Sequence, residues 1–151
     1  SSNTMVGYRA GYQATGQLNT FLGHQSANGV ITSQDNVAVG ANGLASLTSG
    51  AGHIAIGNSA APLATTGNNN ISIGTSANGI LTTGSSNIAI GASAGVGTAT
   101  HSGCIILGTS AQSSANNQLV LGSASVALTT GTTVGGAGGA SALPATPLGY
   151  L

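Results

Sequence analysis

Charge is what this sequence lacks most. It holds one Arg (Arg9) and one Asp (Asp35), with no Lys and no Glu, so only 1% of its residues are charged. Ordinary soluble domains carry roughly 25%. Binding phosphates takes Lys and Arg, which removes nucleic acid as a partner, and so few charges cannot steer a ligand from a distance. Aromatic residues are nearly as scarce: one Phe, three Tyr and no Trp, too few for a core of the usual large side chains. Cys104 stands alone, excluding an internal disulfide framework and a paired-thiol metal motif. The apolar runs are a few residues long, far short of the ~20 that cross a bilayer, so no membrane span is expected. No signal peptide is visible at the start, and a chain that opens on Ser leaves a removed leader open.

What the sequence has is repetition. The phrases "NVAVG", "HIAIG", "NISIG" and "NIAIG" begin at residues 36, 53, 70 and 87. With the first residue of the phrase as slot one, Asn19, Asn36, His53, Asn70, Asn87 and Cys104 follow one another at intervals of seventeen. The slot-five glycines keep step: Gly23, Gly40, Gly57, Gly74, Gly91 and Gly108. An earlier copy, "NTMVG", ends at Gly7 one residue short, and a later one, "QLVLG", ends at Gly122 after an interval of fourteen. A small residue recurs three positions after the slot-five glycine, from Ala10 to Ala111. Thr or Ser recurs four positions before slot one (Thr15, Thr32, Ser49, Thr66, Thr83, Thr100), usually with Gly next. Low-complexity disorder would scatter the aliphatic residues. Here they are fixed in register.

Within the phrase, Ile54 and Ile56, Ile71 and Ile73, and Ile88 and Ile90 alternate with Ala55, Ser72 and Ala89. Period-two alternation of β-branched residues predicts short strands with one face buried. A glycine closing each strand permits a tight corner, and the T-G-x-x stretch before slot one supplies another turn. Each seventeen-residue unit is one coil of an all-β solenoid, a parallel β-roll. Residues 1–122 are expected to form about eight coils, stacked at the strand spacing into a rod roughly 35–40 Å tall. Like residues then form ladders. Stacked like charges repel while stacked Asn amides bond each other, which accounts for the missing charge.

The expected core consists of the two β-branched residues of each phrase plus Leu44, Leu47, Leu63, Ile80 and Leu81 from the variable stretch. So thin a core calls for oligomerisation. The flat Ala/Ser face left on the strand is the expected contact between copies packed about a common axis, most simply three.

The phrases "NIAIGASAG", "NISIGTSANG", "NVAVGANGL", "NTMVGYRAGY" and "NTFLGHQSANG" resemble the YadA-like head repeats of trimeric autotransporter adhesins. They are still more similar to related repeats in tail and surface fibres of bacteriophages and large viruses. The resemblance covers residues 3 to about 122. It implies a left-handed parallel β-roll, three chains wound about one axis, and a fibre that contacts cells. Bacterial heads have shorter units and more charge, which favours the viral branch, and His53 and Cys104 interrupt the Asn slot.

After Gly122 the pattern dissolves into a Gly-rich hinge (residues 135–139) and a tail with Pro144 and Pro147. Residues 123–151 are expected to be a linker and extended tail, whose apolar end "LGYL" suits a further strand or docking on a neighbouring subunit.

No catalytic constellation emerges, and no enzyme is expected. His24, His53 and His101 lack metal-ligand spacing, Cys104 has no assured basic partner, and one Asp cannot line a calcium-binding roll. "GGAGG" is not a phosphate loop, since no Lys follows. Arg9 and Asp35 are solvated turn residues or a weak pair. No cofactor or metal is expected. The expected function is a structural fibre segment on a virion or cell surface, partnered by its own copies, laterally and end to end, and by surface glycans bound through avidity. The alternatives are a bacterial adhesin head, a purely structural polymer and an ice-binding solenoid. The last would use Thr65-Thr66 and Thr82-Thr83, although these are adjacent pairs near a turn, not Thr-x-Thr along a strand.

Overall fold

The computed structural model describes residues 2–122; the linker and tail expected over 123–151 lie outside the described residues. Ten short strands follow in order: β1 (Thr4–Val6), β2 (Thr20–Leu22), β3 (Val37–Val39), β4 (Ile54–Ile56), β5 (Ile71–Ile73), β6 (Ile88–Ile90), β7 (Gly95–Val96), β8 (Ile105–Leu107), β9 (Gln112–Ser113) and β10 (Leu119–Leu121). Eight of them form one sheet in the order β1-β2-β3-β4-β5-β6-β8-β10, and β7 pairs with β9 in a second, two-stranded sheet. All pairing is parallel and in register: Val37 lies beside Ile54, Ile54 beside Ile71, Ile71 beside Ile88, and Ile88 beside Ile105. The chain is a β-solenoid in which eight stacked strands bound seven turns, a height of roughly 35 Å at the strand spacing. Among the described residues no helix is long and apolar enough to cross a membrane.

The corners explain the glycines. Slot-five glycines sit at φ between 121° and 136°, a region that residues with a Cβ avoid. Space is refused as well: a Cβ on Gly74 would lie 2.6 Å from the Gly91 carbonyl oxygen of the next coil. The T-G glycines are needed for closeness alone, since a Cβ on Gly67 would run into the Gly84 carbonyl. Three further rows are left-handed, and the one formed by Gly11, Ala27, Leu44, Ala61 and Asn78 has φ from 45° to 58°. Arg9, Gln25, Asn42, Ser59, Ser76, Ser93 and Ser110 form a second, with φ from 52° to 57°. Leu18, Asp35, Asn69, Ser86 and Asn117 fall in the last, just before slot one, where Gly52 and Gly103 also sit. Most residues of these last two rows are Asn, Asp or Ser, short side chains that bond locally and tolerate this conformation.

The core corrects the expected orientation. The middle residue of each phrase points inward: Phe21, Ala38, Ala55, Ser72, Ala89 and Ile106 are all buried. The β-branched residues on either side point outward, with Ile54, Ile71, Ile73 and Ile88 half-buried and Ile56 and Ile90 exposed. Alternation identifies two faces without saying which is inside. In a coil this narrow several walls converge on the axis, and a strand can send in only one side chain. Volume is shared within a coil: Ala38 is accompanied by Leu44 and Leu47, Ser72 by Leu81, and Ile106 by Ala111. Leu44, Leu47 and Leu81 are buried as expected, whereas Leu63 and Ile80 are exposed. Ser72 is satisfied internally, its Oγ accepting from Asn78 Nδ2 at 2.8 Å.

Gly74→Ala combines a forbidden φ with a backbone collision. It should cost at least about 1–3 kcal/mol, read as a lowered midpoint in urea or thermal unfolding. Wild-type stability in the variant would show that the corner relaxes freely.

Candidate functional site

Slot one forms a polar spine broken once, at His53. Asn3 Oδ1 accepts from Asn19 N at 2.9 Å, Asn19 Oδ1 from Asn36 N at 3.0 Å, and Asn36 Oδ1 from His53 N at 3.0 Å. The series resumes with Asn70 Oδ1 accepting from Asn87 N at 2.9 Å and Asn87 Oδ1 from Cys104 N at 3.0 Å. Except at Asn36, whose Nδ2 donates to Asn19 Oδ1 and Ser33 Oγ, the other end of each amide ties down the T-G corner of its own coil. Asn70 Nδ2 donates to Gly84 O and Asn87 Nδ2 to His101 O, both at 2.8 Å. These buried amides are satisfied on both sides, as buried polar groups must be.

His53 and Cys104 keep half of this pattern, so the expected interruption is partial. Cys104 Sγ donates to Ala115 O at 3.3 Å. His53 Nε2 lies 2.7 Å from Gly67 O, which makes Nε2 the protonated nitrogen and leaves Nδ1 as a bare acceptor. That Nδ1 is buried with no partner among the described residues. The imidazole is held below its ordinary value of 6.5, chiefly by loss of solvation on burial, against the pull of backbone groups of Gly67 and Asn70. His53 is a structural substitute for Asn, and a costly one.

The outer face of the eight-stranded sheet carries two aliphatic rows. One row runs Val37, Ile54, Ile71, Ile88, Ile105 and the other Val39, Ile56, Ile73, Ile90, Leu107, with side chains stacked coil on coil. Leu22, Val6 and Leu119 extend it towards both ends and are 46%, 57% and 51% exposed. This is the reverse of the Ala/Ser contact face expected from the sequence: the small residues are inside and the aliphatic ladder is the unpartnered surface.

The threonines divide into two groups. Thr48 Oγ donates to Thr65 O at 3.0 Å, Thr65 Oγ to Thr82 O at 3.2 Å and Thr82 Oγ to Ala99 O at 3.2 Å. Those hydroxyls are used to clamp coil to coil. Thr66, Thr83 and Thr100 are exposed. A second polar ladder follows, in which Asn68 Oδ1 accepts from Ala51 N, Ser85 Oγ from Asn68 N and Ser102 Oγ from Ser85 N, each at 3.0 Å.

Chemical functionality gathers in one place that sequence reasoning passed over. Tyr8 stacks on His24 of the next coil, with ring centroids 5.3 Å apart and planes 19° from parallel. The Arg9 guanidinium carbon lies 5.6 Å from the Tyr8 ring centre and 5.2 Å from that of Tyr12. Arg9 therefore packs on tyrosines, not against Asp35. The signal was available, since Tyr8 and His24 both follow a slot-five glycine and so lie one coil apart. Elsewhere, His101 Nδ1 is 3.0 Å from Ser113 Oγ, and an open groove of about 330 Å³ runs past Pro62, Ile80, Val96 and Gln112. Among the described residues no three His, Cys, Asp or Glu side chains gather as a metal site.

Compared with protein-family models, curated proteins and solved structures, the chain matches none.

Replacing His53 by Asn would restore the missing acceptor and remove a titrating group from the wall. The unfolded chain takes up a proton near pH 6.5 and the folded chain only at lower pH, so the unfolded state binds more protons in that window and wild-type stability falls on acidification. His53→Asn should be more stable by about 1 kcal/mol at neutral pH, with the margin widening as pH drops below about 6.5. Melting curves at pH 7.5 and 5.5 check this; a constant margin would mean that His53 is protonated as readily folded as unfolded.

Proposed function

We propose that this chain is a structural fibre segment, assembled as a homotrimer and displayed at a virion or cell surface, where it serves in attachment. The observation that carries the reading is the double row of outward aliphatic side chains, continuous from β3 to β10 in slot two and along the whole sheet in slot four. Contiguous apolar faces on soluble proteins mark interaction surfaces, and a face made of one repeated motif is suited to a copy of itself. An axis parallel to the stack brings equivalent coils to the same height, so each ladder meets a matching ladder on every level. With three copies, the slot-two and slot-four rows of one chain can each face a different neighbour. The near absence of charge fits this arrangement, because a carboxylate or ammonium repeated about a close axis would face its own copies.

Attachment follows from repetition: surface turns presented coil after coil on three chains let weak contacts to surface glycans add through avidity. A glycan array on which the intact fibre binds nothing would reduce the role to a purely structural one.

Light scattering on a sizing column should give about three times the 14.2 kDa chain mass. Ile71→Asp places a carboxylate in the outward row, where a single chain tolerates it and a trimer does not. The mass should fall to that of one chain while the β-sheet circular dichroism persists. A monomeric wild type would sink the trimer, and the exposed Thr66, Thr83 and Thr100 row would become the surface to test against ice.

A further inference from the structure

The turn at residues 8–12 departs from the pattern of the later coils. After the slot-five glycine of the second coil comes His24-Gln25, and after those of the next three Ala41-Asn42, Asn58-Ser59 and Thr75-Ser76, short residues, with the second of every pair left-handed. In the first coil the same two positions hold Tyr8 and Arg9, with Arg9 at φ 54°. Long side chains enter this conformation reluctantly, Asn and Ser more readily. The fold makes the turn repeatedly without a ring or a guanidinium, so the fold does not explain them. Nor does burial: Tyr8 and Tyr12 are each 64% exposed. In a chain with three tyrosines and one arginine, two of the former and the latter converge on one exposed spot, and coil stacking adds His24.

We infer that Tyr8, Arg9, Tyr12 and His24 form a binding platform for a carboxylate-bearing sugar. Exposed tyrosine rings offer flat apolar faces with a polar edge, complementary to the C–H face of a pyranose. The guanidinium fork takes a carboxylate with two parallel hydrogen bonds. The sequence offers Arg9 one carboxylate side chain, Asp35, and two tyrosine rings hold the guanidinium instead. That placement pre-orders the longest side chain of the group, so less freedom is lost when a ligand arrives. A sugar ring that stacks needs no cavity, whereas a peptide anchor needs a desolvated pocket, and this surface is open. The inference deepens the attachment reading above and rests on it for its role, although the site is complete within one chain.

The test is a calorimetric titration of the intact chain with galacturonate oligosaccharides and with sialyllactose. Their methyl esters and lactose serve as uncharged controls, and light scattering is recorded on the same samples. The acidic sugars should bind, and the esters at least tenfold more weakly. Arg9→Ser, which installs the residue that later coils use in this slot, and Tyr8→Ala should each weaken binding tenfold or more without changing the melting temperature or mass. Equal binding of the esters, binding that survives both substitutions, or no binding of any acidic sugar would each overturn the site. Binding that survives both would move attachment elsewhere on the fibre, and a trimer that binds no sugar would leave the fibre intact as a structural element. A monomer that binds acidic sugars would support the platform while removing the fibre.

Discussion

Along the described coils, the strand residues lie against their counterparts at the spacing of paired strands, about 4.8 Å. That single constraint governs what each slot will accept. An amide can stack on an amide because its oxygen accepts a hydrogen bond from the backbone N–H of the coil on one side while its nitrogen donates one elsewhere; the spine from Asn3 to Cys104 is built this way save at His53. A charge can only repel its copy. Where backbone meets backbone, as between Gly74 and Gly91, the slot takes glycine and nothing larger. Sparse charge, recurring Asn and recurring Gly are three results of one geometry.

The same geometry sorts the apolar residues in an unusual way. Chains usually place their largest aliphatic side chains inside, and here the strands send in Ala38, Ala55, Ser72 and Ala89 while Ile54, Ile71 and Ile88 look out. A seventeen-residue coil encloses little space, and Phe21 and Ile106 are the larger side chains that strands send into it. Leu44, Leu47 and Leu81, arriving from other walls, fill most of what there is. The outward rows are then a continuous apolar surface that this one chain leaves uncovered, and self-association is the simplest way to remove it from water. A thin coil moves aliphatic side chains to the outside, and the proposed lateral assembly would cover them.

Against so regular a background, exceptions carry information. Local departures from a consistent design are expected at strained or functional positions. His53 departs within the spine and leaves a buried nitrogen without a partner. The Tyr8–Arg9 turn departs on the surface, placing in a left-handed slot a side chain that later coils replace with Gln, Asn or Ser. The first costs stability and shows how closely the spine is specified. The second concentrates on one exposed turn the aromatic and cationic chemistry that the other described coils lack.

Much of the fold was legible in the sequence, because a solenoid makes spacing in the chain equal to spacing along the stack. The interval between Asn70 and Asn87 is itself the statement that they are neighbours, and the six slot-five glycines mark six corners. The pairing of Ile71 with Ile88 follows from the count alone. Direction did not. "NISIG" has the same alternation whichever face is inside, and only closure of the coil, with several walls competing for one axis, decided that Ser72 points in and Ile71 out. The cluster at Tyr8, Arg9, Tyr12 and His24 was half-legible: the period places Tyr8 on His24, but the swing of Arg9 onto two rings depends on side-chain torsions that no periodicity contains. The sequence by itself determined a one-dimensional stack and its register, since both are set by local repetition. The tertiary structure alone decided what is buried and what is shown, since those depend on the volume a closed coil leaves within it.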